Sequence, residues 1–245
     1  MKLDFSAAWK DAMTMLRGQR EMLIALAGVF LLLPSLLLET FAPLRSSAQT
    51  LDDLVADLSA YMSENGLVIL IVTIVTYYGQ ATILKLLLDP KRPTVGDALG
   101  GALRLLPAFF LVQVIVGLIW LAGLFALVIP GLYLIGRTVL AGTVMVAEDR
   151  HNPLTVIQRS FAVTRGNGWA VFFVVAIVWV VGWIMGIAAA SIFGVVMALV
   201  GDASLVGFGT AFVSSLFAAA LQLVLLLLYI ALYRQLSAEP SVAVN

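Results

Sequence analysis

Cysteine is absent from this 245-residue chain, histidine occurs once, and charged residues make up only 11% of it. Without cysteine no disulfide framework can form, and a metal centre of three or four imidazole and thiolate ligands lacks its donors. Water-soluble domains carry about 25% charged residues. The deficit here excludes a cytosolic enzyme and a free nucleic-acid binder, and the balance of 14 bases against 14 acids leaves no net charge to attract a polyanion. The patterns of common catalytic sites are missing too. The serines lack the Gly-x-Ser-x-Gly setting of a hydrolase nucleophile, and no Gly-rich phosphate loop follows a strand. His151, beside Glu148, Asp149 and Arg150, reads as a solvated loop residue. No cofactor and no metal are expected.

What the chain has instead is apolar length: 62% of its residues are hydrophobic. Apolar segments lie at Met22–Glu39, Gly66–Leu88, Leu105–Ile129, Gly131–Ala147, Trp169–Val195 and Gly207–Tyr233. A helix crosses a bilayer with roughly 20 apolar residues. None of the six runs alternates as a barrel strand does, and a lone strand in lipid leaves its backbone unpaired. The expected fold is therefore all-α, a polytopic membrane bundle of six transmembrane helices forming one domain over 1–245. Its parts are an interfacial helix (1–21), a first hairpin (22–88) with an outer amphipathic helix (51–62), a second (89–147), a third (148–236) and a tail (237–245). The basic lead of about 20 residues and the long first apolar run exceed a signal peptide's proportions, so the first run reads as an uncleaved span that Pro34 kinks. Pro130-Gly131, between the third and fourth runs, predicts a tight turn.

Even the six-span count places both termini on one side, and the basic residues choose the side. With the N-terminus inside, Lys2, Lys10, Arg17, Arg20, Lys91, Arg92, Arg104, Arg150, Arg159, Arg165 and Arg234 collect on the cytoplasmic face, and Arg45 alone on the other. The positive-inside rule then gives N-in, C-in. Lys85 and Arg137 fall inside spans; Lys85, one turn from the cytoplasmic end, is expected to snorkel.

Amphipathic stretches with basic residues precede the first, third and fifth spans. Phe5, Trp9, Ala12, Met13 and Leu16 fall at helical spacing in the first; Thr94 and Asp97 form a capping box opening the second; Asn152 and Pro153 start the third. Aligning Trp9–Gln19 with Ile157–Asn167 places Arg17 on Arg165 and Gly18 on Gly166. This suggests a threefold repeat of interfacial helix plus hairpin, although amphipathic lead-ins to spans are common enough to produce the match by accident. Such basic helices suit an anionic inner leaflet, so membrane lipids are the expected partners, with a second copy of the chain or another envelope protein as further possibilities.

Arg137 is the most informative polar residue. It lies six residues into the fourth predicted span, about 9 Å below the outer surface at 1.5 Å per residue. An arginine there either faces a polar site inside the bundle or snorkels to the outer headgroups. Gln80, Gln113, Gln222, Tyr77 and Tyr78 are its candidate inward partners and Glu39 an outer one. Gly182 and Gly186 form a Gly-x-x-x-Gly pair suited to close helix packing, within the bundle or between copies. The fifth apolar run, Trp169–Val200, exceeds the bilayer core, so a break or an outer interfacial piece is expected near Ser191–Val200.

Three stretches carry a resemblance: Ile129-Pro-Gly-Leu-Tyr-Leu-Ile-Gly-Arg, Val146-Ala-Glu-Asp-Arg, and Val156-Ile-Gln-Arg-Ser-Phe-Ala-Val-Thr-Arg-Gly-Asn-Gly-Trp. They resemble the glycerophosphoryl diester phosphodiesterase membrane-domain family and the related YciC-like inner-membrane proteins of bacteria. The matching positions are Pro130, Gly131, Tyr133, Arg137, Glu148, Arg159, Ser160, Thr164, Gly166 and Asn167. The phosphodiesterase barrel fused to some relatives has no room in this chain. The resemblance therefore implies a membrane unit of the bacterial inner membrane without an inherited activity. A non-enzymatic lipid-binding, membrane-organising or accessory envelope protein is the first expectation; a small transporter or channel with a polar cavity around Arg137 is the second.

Overall fold

The computed structural model describes residues 3–44, 48–199 and 203–237. Arg45, Val200, Asp202 and the tail beyond 237 lie outside the described residues. Among the described residues, every regular element is helical: α1 (Phe5–Gly18), α2 (Arg20–Ala27), a π-helical segment (Gly28–Leu32), α3 (Leu33–Phe41), α4 (Leu51–Leu88), α5 (Val95–Ala126), α6 (Val128–Thr138), α7 (Ala141–Ala147), α8 (Pro153–Val163), α9 (Gly168–Ala198) and α10 (Ala203–Ser237). Six stretches are long and apolar enough to cross a membrane: Arg20–Phe41, Leu51–Leu88, Val95–Ala126, Val128–Ala147, Gly168–Ala198 and Val206–Ser237.

The helices meet tightly at one end of the bundle and separate toward the other. Buried apolar residues concentrate in α2 (Leu23), the ends of α4 (Ile83, Leu84) and α10 (Leu227, Leu228, Ile230), the middle of α5 (Phe109, Val112), and α7 and α8 (Val144, Met145, Val156). By contrast α9 presents Phe173, Ile177, Val180, Val181 and Ile184 outward, and only 11% of its most apolar window is buried. An apolar face of that length is compatible with lipid as its solvent.

Several boundaries differ from the sequence expectation, each for a local reason. The outer amphipathic stretch 51–62 is not a separate helix. Thr50 and Asp53 close a capping box, with reciprocal bonds of 3.1 Å, and the helix then runs 38 residues without interruption to Leu88. At 1.5 Å per residue that is about 57 Å, nearly twice a core of roughly 30 Å, so part of it projects past the core. The lead-in to the third span is likewise continuous with it. The Thr94–Asp97 box forms as expected, and α5 continues to Ala126 with Pro107 inside it. Only α1 and α8 stand apart from the spans that follow them.

The third and fourth spans do not turn at Pro130-Gly131. The chain reverses at Leu127, whose backbone is extended (φ −161°, ψ 128°), and Pro130 sits in the first turn of α6, where its missing N–H costs nothing. Gly131 serves packing instead: a Cβ there would lie 2.7 Å from the backbone of Gly123 and Leu124. Nor does α9 break near residue 191; it is helical through Ala198. The distortion expected at Pro34 takes the form of the π segment immediately before it, a register change that lets the helix continue past a residue with no N–H to donate. The Ser35 hydroxyl bonds the Leu31 carbonyl at 2.7 Å. Finally, the alignment of Gly18 with Gly166 does not extend to conformation. Gly166 has φ +79°, and no other described glycine has a positive φ.

Candidate functional site

Arg137 is in the last turn of α6, just before the chain loses helical geometry at Val139–Leu140. Its guanidinium points at the end of α8. Nη1 donates to the Thr164 carbonyl at 2.8 Å and Nη2 to the Phe161 carbonyl at 2.6 Å, both at the C-terminal end of α8, and the Thr164 carbonyl also accepts the Asn167 N–H at 3.0 Å. The plane lies over the rings of Phe161 (5.1 Å) and Tyr133 (5.7 Å). The positive charge therefore meets the negative end of a helix dipole and two π faces. Among the described residues no carboxylate pairs with it, and Nε is buried without an acceptor.

The contact is reciprocal. The Arg137 carbonyl, at the break between α6 and α7, accepts from the Ser160 hydroxyl at 2.8 Å and the Thr164 hydroxyl at 3.2 Å. Both side chains are fully buried. Gly166, with its positive φ, ends α8 and turns the chain into α9, and Asn167 precedes the first residue of α9. The Asn167 carbonyl takes the Val171 N–H at 2.9 Å. Gly168 is fitted against Arg137 and Tyr133, where a Cβ would lie 2.7 Å from both side chains, and Gly136 packs against the Gly168 backbone. The motif residues Tyr133, Arg137, Ser160, Thr164 and Gly166 thus form one latch joining α6 to the α8–α9 turn.

Glu148, the acidic motif residue, ties the α7–α8 connection to the side of α8. Its carboxylate accepts from Arg159 Nε at 2.7 Å, Arg150 Nε at 2.6 Å and the Tyr233 hydroxyl at 3.3 Å. Burial disfavours its ionised form, but the hydrogen bonds and charges of Arg159 and Arg150 outweigh that and hold the carboxyl below the usual glutamate range.

The other sequence-selected polar residues come together elsewhere. Tyr77 and Gln80 of α4, Gln113 of α5 and Gln222 of α10 line a cavity of about 890 Å³ in the open part of the bundle, with Glu39 of α3 also on its lining. Arg137 does not line it. This corrects the expected grouping: its partners are the α8 carbonyls rather than the glutamines, Tyr77, Tyr78 or Glu39. It also changes the expected depth, since Arg137 reaches the α8–α9 turn, beside Arg165, rather than the Pro130–Gly131 end of its span. The walls of the cavity are apolar, including Phe172, Trp183 and Phe217. The Gln80, Gln113 and Gln222 amides and the Tyr77 hydroxyl make no hydrogen bond among the described residues. Each amide offers two donors and an acceptor to whatever enters. Among the described lining residues Glu39 alone carries charge. Gly182 and Gly186 also border the space; they admit Leu221 and Phe217 of α10, so the glycine pair packs within the chain.

Sequence reasoning did not single out Gly136 or Gly168, although both were visible as the glycines beside Arg137 and after Asn167. No group of three or more metal-ligating side chains occurs among the described residues. Compared with known protein families, characterised proteins and solved structures, the chain matches none.

Proposed function

We propose that this is a non-enzymatic protein of the bacterial cytoplasmic membrane, with both termini in the cytoplasm, that binds lipid and serves a membrane-organising or accessory envelope role. The observation that carries the reading is the cavity. It combines apolar walls, three glutamine amides without partners among the described residues and almost no charge, which suits an amphiphile with a neutral hydrogen-bonding region better than a free ion. The eleven-to-one distribution of bases supports the orientation, and the family resemblance supports the membrane. A transport path centred on Arg137 loses its basis, because that guanidinium is occupied in closing a helix end. The test is native mass spectrometry of the protein released from detergent after exposure to phosphatidylethanolamine and phosphatidylglycerol. Retention of at least one lipid through collisional activation that strips detergent is expected; a spectrum of bare protein under those conditions would overturn the proposal.

A further inference from the structure

A second concavity, of about 1030 Å³, lies at the tight end of the bundle, away from the glutamine cavity. Its lining includes Arg17 at the end of α1, Arg20 at the start of α2, Arg92 in the α4–α5 connection and Arg234 near the end of α10. Two acids, Glu21 and Asp89, share it, so four guanidinium groups face two carboxylates. The acids and bases are not simply paired. Asp89 is engaged in its own turn, accepting the Lys91 N–H at 2.9 Å, and this turn holds Arg92 at φ +46°, a conformation unusual for a residue with a side chain. Arg234 is committed to structure: Nη2 bonds the Leu87 carbonyl at 2.9 Å and Nη1 lies 3.6 Å from Asp11. Arg17, Arg20 and Arg92 have no ion pair among the described residues. The N-terminus of α2 opens onto the same space without a side-chain cap, adding the positive end of a helix dipole to the three arginines.

We infer that this concavity binds a phosphate-bearing anion through Arg17, Arg20 and Arg92. Guanidinium groups fork onto phosphate oxygens, and three converging on one hollow match the three oxygens of a monoester or the two free oxygens of a diester. The inference rests on the membrane reading above for its favoured source, a lipid phosphate in the cytoplasmic leaflet; a soluble phosphate compound shares the chemistry.

The experiment uses the full-length protein in zwitterionic detergent with a triple variant, R17Q/R20Q/R92Q, and R165Q as a control that removes an exposed base outside the concavity. Bound lipid is counted by native mass spectrometry with phosphatidylglycerol against phosphatidylcholine, and thermal stabilisation is followed with millimolar inorganic phosphate. At about 1 kcal/mol per base near an anionic surface, the triple variant should lose phosphatidylglycerol binding by tenfold or more, and R165Q should match the wild type. If inorganic phosphate stabilises the wild type but not the triple variant, and displaces phosphatidylglycerol, the ligand is a soluble phosphate. If only the lipid responds to the three arginines, the headgroup is the ligand. Phosphatidylglycerol binding and phosphate response both unchanged in a triple variant with the wild-type circular dichroism spectrum would overturn the inference. Loss of this preference alone leaves lipid held in the glutamine cavity intact, whereas bare protein for wild type and variant alike counts against the membrane-lipid reading itself.

Discussion

Arg137 brings a full charge into a packed site where no carboxylate of the described residues stands beside it, and two carbonyls stand where an ion pair is usually expected. The Phe161 carbonyl needs a donor because α8 ends there, the Thr164 carbonyl takes a second one beside the Asn167 N–H, and the arginine needs acceptors because it is buried, so each resolves the other's cost. Replacing Arg137 by Met removes two charge-assisted bonds and leaves the Phe161 carbonyl without a donor, while the Thr164 carbonyl keeps the Asn167 N–H. A loss of about 3 kcal/mol is expected, read as a lower midpoint of thermal unfolding in detergent. Arg137→Lys should recover only part of it, since a single ammonium cannot fork across both acceptors. A midpoint unchanged in Arg137→Met would show that the latch contributes nothing. Glu148 supplies a pH signature at the same scale. Folding lowers its pKa, so its contribution is complete above the unfolded value of about 4.3 and is lost as the pH falls from there through the folded value. Glu148→Gln should cost roughly 2 kcal/mol at neutral pH. The gap to wild type should narrow below about pH 4.3, and a gap that instead widened in acid would contradict the assigned sign.

Elements were legible in the sequence where a signal is local and directional. The Thr94–Asp97 box opens a helix because two side chains three residues apart close on each other's backbone, which spacing alone reveals. The Thr50–Asp53 box has the same chemistry, yet the polar run Ser63-Glu64-Asn65 separates the amphipathic stretch 51–62 from the apolar run that begins at Gly66 and hides that α4 continues through it. What composition cannot show is which glycines are pressed against another helix. Gly131 and Gly117 look alike in sequence, but the first meets the Gly123 backbone and the second meets nothing within 4 Å. Gly131→Ala should therefore force α5 and α6 apart and destabilise by about 2 kcal/mol or more. Gly117→Ala, in an open position on α5, should be neutral or stabilise by up to about 1 kcal/mol through its helix propensity. Gly166→Ala tests a different cause. Its surroundings are open, so any loss, of about 1–2 kcal/mol, comes from the left-handed backbone. Unfolding midpoints of the three variants under one condition separate packing from backbone effects. Equal shifts in all three would remove the distinction.

At the scale of the whole molecule, the sequence identifies the polar residues but not their grouping. Arg137, Gln113 and Gln222 all sit within apolar runs, and hydropathy assigns them a depth without saying which way each helix is rotated. Packing decides that rotation. The core at the tight end turns Arg137 toward α8, whereas the separation of α9 and α10 from α4 and α5 leaves the glutamines facing a space. The two polar features should thus respond oppositely to mutation. Arg137 variants are expected to lose stability with the lipid count of the remaining folded protein preserved. Replacing Gln113 and Gln222 together by Leu removes two amides that bond no described residue, so the fold should keep its midpoint or gain slightly. A lipid held through those amides should be lost several-fold, because leucine offers its polar region no partner in an apolar wall and a buried group without one costs about 1–3 kcal/mol. Unfolding midpoint and lipid occupancy measured on both variants give a two-by-two outcome. A glutamine double variant that retains its lipid while keeping its midpoint would make the cavity a packing gap and leave the exposed apolar faces as the protein's contact with lipid.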